Sequence, residues 1–299
     1  MQTLVCVAVC ICTYRRASVA DTLRSVAAQA LPDGIGLRVV VVDNDAQPSA
    51  RALVQQTAAS LGLACDYVHA PARNISIARN AALDAADETL LAFIDDDETA
   101  EPGWIAALLA QQRRSGAPVV LGPVEALYGD GPGWLRAADL HSTRPTLRRG
   151  EIRDGYSCNV LLDRAAMTAP MRALRFDPEQ GRTGGEDTVY FSRLHRLGAR
   201  IVFAADAVVH EDVPPQRRWL GWLLRRAFRN GQTHARTLIE TRRCKPCMIL
   251  LAAAKCGCCA LGALGRILAT PRWRAYAVRT AMHAGVVSRL AGIGELELY

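Results

Sequence analysis

The run Phe93-Ile94-Asp95-Asp96-Asp97-Glu98 closes an apolar stretch with four consecutive carboxylates. Adjacent acids repel one another unless a cation or solvent relieves them. An oxygen-rich cluster of this kind suits Mg2+ or Mn2+, hard ions that keep several waters and bridge to a substrate's phosphates. The competing reading is a solvated acidic turn ahead of a helix, whose first turn favours acids. A second acidic end, Val39-Val40-Val41-Val42-Asp43-Asn44-Asp45, offers carboxylates that can accept hydrogen bonds from a base or ribose. Asp and Asn are also ordinary turn formers after strands, so that run alone decides nothing. Opposite charge stands in Thr13-Tyr14-Arg15-Arg16, Arg73-Asn74 and Ala78-Arg79-Asn80, where forked guanidinium donors can grip a diphosphate. In Gly184-Gly185-Glu186-Asp187, either carboxylate can cap the helix that follows or serve as a general base. His210, in His210-Glu211-Asp212, offers an imidazole to a metal or diphosphate, against the commoner structural role of a lone histidine.

These groups need a scaffold that brings them together, and the hydrophobic pattern supplies one. Short apolar runs at Leu4–Cys12, Leu37–Val42, Cys65–His69, Leu90–Ile94 and Val119–Leu121 alternate with helical patterns. The helices are expected over Ala17–Gln29, Ser49–Leu61, Ile75–Ala86 and Pro102–Arg114. Such alternation predicts βαβ units and a parallel sheet buried on both faces. Right-handed crossovers then set the strand ends along one rim, where open α/β sheets bind ligands. The acidic and basic groups fall mostly at those ends. The pattern loosens between Gly122 and Gly155, then returns at Cys158–Leu162, Val189–Leu197 and an Ile201–Val209 strand pattern.

Composition narrows the class. The 299 residues are 22% charged and 50% hydrophobic, which is globular rather than disordered or fibrous. The net charge of +7 hides an asymmetry: residues 213–299 carry 15 Lys and Arg against 3 Asp and Glu. Residues 1–212 hold the remaining 21 basic and 26 acidic groups, an acidic body with a basic tail. The beginning Met1-Gln2-Thr3 lacks the positive segment of a secretory signal, so the ten cysteines are expected to be reduced. The two lysines, Lys245 and Lys255, do not follow glycine, so no Gly-Lys-Ser/Thr phosphate loop exists. No Gly-x-Gly-x-x-Gly follows the first strand, which argues against a dinucleotide dehydrogenase.

Taken together, Cys10-Ile11-Cys12-Thr13-Tyr14-Arg15-Arg16, Val41-Val42-Asp43-Asn44, Ala78-Arg79-Asn80, Phe93-Ile94-Asp95-Asp96-Asp97-Glu98 and Gly185-Glu186-Asp187 resemble, in order and spacing, the family 2 inverting nucleotide-sugar glycosyltransferases of GT-A fold, especially those of bacterial exopolysaccharide assembly. The resemblance covers about residues 4–212. It implies a Rossmann-like, mostly parallel α/β sheet flanked by helices. It also implies nucleotide contacts from Thr13, Arg15 and Asp43, with Asp43 facing the base, and Arg73 and Arg79 near the base or diphosphate. Asp95 and Asp97 match the family's Asp-x-Asp: Asp97 as direct ligand of Mg2+ or Mn2+, Asp95 nearer the ribose, and Asp96 beside them in the nucleotide site. His210 is carried as a further candidate metal ligand. Asp187 matches the general base and Glu186 the acceptor-positioning residue, while Asn159 matches a polar position near the sugar or a structural one. Glu98 stands where the family has Glu or Asp.

The implied reaction is transfer of a sugar, with inversion, from a nucleotide-diphosphate sugar to a glycan or polyprenyl-linked glycan in polysaccharide biosynthesis. UDP is favoured because Asp43 suits uracil. The alternatives are a nucleotidyltransferase, whose Gly-rich loop is missing here, and a degenerate membrane-docked binding module. A boundary is drawn between residues 212 and 213, near the compositional shift at Pro214-Pro215. Beyond it, Arg217–Arg229 reads as an amphipathic helix, with Trp219, Trp222, Leu223 and Phe228 on one face, suited to a membrane interface. Cys247–Gly265 is the most apolar stretch, but Lys255 splits it, so a monotopic or buried helix pair is preferred to a span. Cys244-x-x-Cys247 and Cys256-x-Cys258-Cys259 lack paired zinc spacing and are read as apolar packing. The expected location is the cytoplasmic face of the inner membrane, and no nucleic-acid partner is expected because the basic excess lies beside the most apolar segment.

Overall fold

A computed structural model describes residues 5–240, 244–267, 270, 272–294 and 296 of the chain. The first half alternates as the pattern requires: β1 (Val5–Thr13), α1 (Val19–Ala27), β2 (Ile35–Asp43), α2 (Arg51–Leu61), β3 (Cys65–His69), α3 (Ile75–Ala85) and β4 (Leu90–Ile94). Then follow β5 (Glu98–Ala100), α4 (Trp104–Ser115), β6 (Val119–Leu121), β7 (Val124–Leu127), α5 (Gly133–Ala138), β8 (Leu147–Arg148) and β9 (Glu151–Ile152). The rest comprises β10 (Asn159–Asp163), α6 (Ala169–Ala173), α7 (Glu186–Arg196), β11 (Ile201–Phe203), β12 (Val209–Asp212), α8 (Leu220–Glu240), α9 (Lys245–Leu264) and α10 (Trp273–Leu290).

Nine strands form one sheet in the order β3-β2-β1-β4-β10-β6-β11-β9-β8. The pairings β3–β2, β2–β1 and β1–β4 are parallel, in a register that sets Thr13 opposite Asp43 and Asp43 opposite His69. This register brings the charged ends of the first strands to one level. The expected mostly parallel sheet is found: parallel pairing is interrupted at β10, which runs antiparallel to both β4 and β6, and resumes where β11 pairs with β6. Strand β10 returns after the long excursion through residues 122–158, and no short crossover helix dictates its direction. The Ile201–Val209 strand pattern is two strands, with β12 leaving the main sheet for a three-stranded sheet ordered β5-β12-β7.

Alternation along the strands explains the two-sided core. Ala8, Cys10, Val40, Val42, Leu91 and Phe93 face one layer, together with Ala78 and Ala82 of α3 and Tyr190, Phe191 and Leu194 of α7. Val7, Val9, Ile11, Val39, Val41, Ala92 and Ile94 face the other, with Leu23 of α1, Val54 of α2 and Trp104, Ile105 and Leu108 of α4. Each fully buried aliphatic side chain of this kind contributes roughly 1.5–3 kcal/mol. Asn159 is fully buried: its Oδ1 accepts from Trp104 Nε1 at 2.8 Å, and its Nδ2 donates to the carbonyls of Pro123 and Ala207 at 2.8 and 2.7 Å. Its amide is consumed in pinning these segments, so the structural reading of Asn159 stands over the sugar-contact one.

By contacts the chain divides into two compact units. One comprises Met1–Ala126, Ser142–Arg182 and Glu186–Asp212, the other Leu127–His141, Thr183–Gly185 and Val213–Tyr299. In the second unit α8 and α10 cross at glycines, since a Cβ on Gly231 would overlap Met282 O and one on Gly285 would overlap Phe228 O. The amphipathic face expected at 217–229 packs within this unit: Leu223 and Ala227 are buried, and Trp222 stacks on His141 at 5.2 Å, while Trp219 stays 57% exposed. The helix α9 is 20 residues long and, by length and composition alone, apolar enough to cross a membrane. It is not a buried helix, because among its residues only Ala252 is enclosed.

Candidate active site

The ends of β1, β2 and β4 and the start of α7 carry the charged side chains. At the end of β2, Asp43 is fully buried, and its carboxylate is occupied by the chain itself. Oδ1 accepts from the Asp45 amide at 2.9 Å, and Oδ2 accepts from the Ala50 amide at 2.9 Å and from Tyr67 Oη at 2.6 Å. Asp45 pairs with Arg15 Nε at 2.8 Å, and that guanidinium holds the Asp45 carboxyl down at about 2. Asn44 stitches neighbouring loops: its amide donates to Thr13 O at 2.9 Å, and its Oδ1 accepts from the Asn74 amide at 3.0 Å. Asn74 in turn caps α3, accepting from the Ile77 amide at 3.2 Å, and donates to Pro178 O at 2.8 Å. Arg15 and Arg73, both exposed, lie in the left-handed region at φ 56° and 47°. That conformation costs a non-glycine residue about 1–3 kcal/mol and clusters at ligand sites.

At the end of β4 the carboxylates are less well compensated. Arg16 spans two of them, with Nη1 at 2.9 Å from Asp96 Oδ1 and 2.5 Å from Asp97 Oδ2. Burial pushes the Asp96 carboxyl up to about 6, although Arg16 and the Thr13 hydroxyl oppose the rise. Thr13 and Asp96 are both nearly inaccessible, at 2% and 5% exposure. Glu98 is buried and accepts from the Asp95 amide at 3.0 Å; burial first, then the neighbouring Asp95 charge, raises its carboxyl well above the ordinary range. Burial also raises Asp95, with Arg79 opposing and Asp97 adding to the shift.

Arg79, on α3, joins β4 to α7. It pairs with Glu186 Oε1 and lies 3.6 Å from Asp95 Oδ1. Burial works against its charge, but Glu186, Asp95 and Asp187 hold it protonated. Glu186 is itself raised by burial despite Arg79, and its buried Oε2 has no hydrogen-bond partner. Asp187, next along and partly exposed, accepts from the Thr188 amide at 2.6 Å through Oδ1.

Among the described residues, the group whose ligand atoms lie within 4.8 Å of one another is Asp95, Glu98 and Cys158. The expected set of Asp95, Asp97 and His210 is therefore not assembled as such. Asp97 is drawn to Arg16. His210 sits inside β12 opposite Thr99, with Nε2 3.1 Å from Glu101 Oε1 and Nδ1 buried without a partner. Its place follows from the pairing of β12 with β5, which the sequence pattern did not resolve. Two of the three groups are carboxylates, the donors a hard divalent cation prefers, and burial first, with neighbouring carboxylates adding, raises both, a penalty that a bound cation would offset. The site fits such an ion. Arg16, read as part of a diphosphate grip, pairs with Asp96 and Asp97, and Glu98, read as the last carboxylate of the acidic run, accepts from the Asp95 amide; only the distances reveal these partners.

The family 2 glycosyl transferase model matches residues 8–169, more than half of the chain. The chain belongs to glycosyl transferase family 2. It is 48% identical over 292 residues to the succinoglycan biosynthesis protein ExoM of Rhizobium meliloti (strain 1021), covering 97% of this chain and 94% of that one. It is 26% identical over 243 residues to a glucosyl-dolichyl phosphate glucuronosyltransferase of Haloferax volcanii, covering 75% of each. Among solved structures it resembles the mannosyltransferase PcManGT from Pyrobaculum calidifontis in complex with GDP-Man and Mn2+, with a TM-score of 0.63 at 18% identity, covering 95% of this chain and 86% of that one. It also resembles S. aureus TarS 1-349 in complex with UDP-GlcNAc, with a TM-score of 0.54 at 16% identity, covering 96% and 92%. The fold is GT-A and the family is that of glycosyltransferases, which sets aside the nucleotidyltransferase reading. Divalent-metal dependence is typical of this family.

Proposed function

We propose that this glycosyltransferase moves a sugar, with inversion, from a nucleotide-diphosphate sugar to a glycan or polyprenyl-linked glycan in exopolysaccharide assembly. The observation that carries the reading is the Arg79 bridge, which sets Glu186 at the start of α7 against Asp95 at the end of β4. A carboxylate is thereby stationed on each side of a reacting centre: one group for the attacking hydroxyl, another for the departing diphosphate. The near full-length likeness to a succinoglycan biosynthesis protein supports the pathway class.

Asp187 takes the proton of the acceptor hydroxyl as its oxygen attacks the anomeric carbon. Its second oxygen is left for that task, because Oδ1 is engaged by Thr188. Glu186 positions the acceptor through its unengaged Oε2. Asp97 and Asp95 would hold Mg2+ or Mn2+, which would supply positive charge to offset that of the departing nucleoside diphosphate. Arg15, Arg73 and Arg79 surround the diphosphate and base, while Thr13 and Asp96 line the nucleotide site. Asp43, its carboxylate taken up by Tyr67 and the Asp45 and Ala50 amides, shapes the loop beside the base rather than offering the base a free acceptor, and UDP stays the nucleotide to test first. Residues 213–299 form the membrane-docking part, holding the enzyme at the cytoplasmic face of the inner membrane. Support comes from the exposed apolar length of α9 and from the basic excess around it.

The test is calorimetric titration of UDP, GDP and dTDP into the detergent-purified full chain, with and without Mn2+, repeated on Asp97→Ala. Mn2+-dependent binding of UDP that disappears in the variant is the expected result. A folded protein that binds none of the three would sink the donor assignment.

A further inference from the structure

Ten cysteines are spread along the chain, and their surroundings divide them sharply. Burial raises the thiols of Cys6, Cys10, Cys12, Cys65 and Cys158, which makes them poor nucleophiles. Cys244 and Cys247 stand apart from this buried group. Both are exposed, against the expectation of apolar packing. Cys244 is the N-cap of the 20-residue helix α9, with φ −57° and ψ 105°, and its carbonyl accepts the first-turn bond from the Met248 amide at 3.1 Å. Pro246 stands in the first turn, so the backbone between the two thiols is stiff and one amide that would compete for the cap is absent. The two side chains are hydrogen-bonded to each other, Cys247 donating to Cys244, which lowers the Cys244 thiol and raises that of Cys247. Lys245 lies between the two cysteines in sequence. A helix N-terminus also favours the anionic form of a group placed there.

We propose that Cys244 and Cys247 form a reactive dithiol, a covalent modification site that exchanges with a low-molecular-weight disulfide and closes to an intramolecular disulfide at the start of α9. The Cys244 thiolate attacks one sulfur of oxidised glutathione, forming a mixed disulfide and releasing one glutathione thiolate. Cys247 gives its proton to solvent and attacks the Cys244 sulfur, forming the Cys244–Cys247 bond and expelling the second glutathione thiolate. Two cysteine thiols are oxidised and one glutathione disulfide is reduced to two thiols. A nucleophile of lowered pKa beside a resolving thiol three residues on is the arrangement that makes such exchange fast. Among the described residues no further ligands gather with the pair to complete a four-ligand zinc site.

The experiment uses the full detergent-purified chain, oxidised glutathione as the probe, and alkylation under denaturing conditions before mass analysis. Trypsin cuts after Arg243 but not before Pro246, so one peptide spanning 244–255 carries both thiols. The expected result is loss of two alkylatable thiols from that peptide, with the loss of two hydrogens and no net adduct. Cys247→Ser is expected to arrest the exchange as a glutathione adduct on Cys244. Cys244→Ser is expected to leave Cys247 slower to react than the exposed Cys258, which serves as an internal reference. Equal alkylation rates for Cys244, Cys247 and Cys258 in the reduced protein would overturn the proposal, as would a 244–255 peptide that keeps both free thiols in oxidised glutathione. Because the readout is mass, its outcome is independent of donor or acceptor identity.

Discussion

Two acidic strand ends, on β2 and on β4 with β1 between them, are treated oppositely. At the end of β2, Asp43 receives three donors from its own chain and Asp45 receives Arg15. At the end of β4, Asp95, Asp96, Asp97 and Glu98 share Arg16 and the edge of Arg79, and three of the four carboxyls are raised. The difference separates a group that holds a loop in shape from one whose crowded carboxyls are desolvated with too few partners to compensate them. Charge left uncompensated in a folded protein costs stability, and such sites are where a cation or substrate is awaited. The start of α7 follows the second pattern, since Glu186 is buried with one oxygen unengaged.

The strongest way to break this comparison is at α7. Asp187→Asn should lower the transfer rate by roughly 10²–10⁴-fold, the usual worth of a positioned general base, while calorimetric donor binding stays intact. Normal turnover in that variant would end the assignment. A paired measurement of stability comes next. Asp43→Ala leaves the Tyr67 hydroxyl and the Asp45 and Ala50 amides without their acceptor, and should cost about 3 kcal/mol in urea unfolding. Asp97→Ala should leave stability level or higher while abolishing metal-dependent nucleotide binding. Equal losses in both variants would show that the two strand ends do the same job.

The smallest effect is in pH dependence, where the two ends have opposite signs. Asp45, held at about 2 in the fold against an ordinary 3.8, contributes stability that is present above 3.8 and lost as pH falls toward 2. Asp96, pushed up to about 6, ionises later in the fold than in the unfolded chain, so its contribution falls as pH rises from 3.8 toward 6. Asp96→Asn should remove that falling limb from urea midpoints measured between pH 4 and pH 7. An unchanged profile would mean that Asp96 titrates as an ordinary surface carboxylate.

Much of the fold was legible in advance. The strands at Leu90–Ile94 and Val119–Leu121 fall where the apolar runs lie, because a strand buried on both faces leaves an unbroken apolar run, while Cys65–His69 is also found but as a partly buried edge strand. The direction of β10 was not legible, since its apolar run is the same read either way and the return path is set by packing. The placement of His210 depended on strand pairing between segments 109 residues apart from Glu101, for which local pattern carries no signal. Arg16 was hidden by resemblance to its neighbour: Arg15 and Arg16 are the same residue type in one turn, yet one serves Asp45 and the other Asp96 and Asp97.

The amino-acid sequence by itself determined the alternation of strands and helices, the order of the charged strand ends, and the long apolar stretch that becomes α9. Those are properties of periodicity and composition, which act along the chain. Tertiary structure decided which carboxylates are satisfied and which are not, that Asn159 is spent on packing, and that Cys244 and Cys247 face solvent. Desolvation and ion pairing depend on distances through space between residues remote in sequence. Those distances exist only once the sheet has brought its strand ends together.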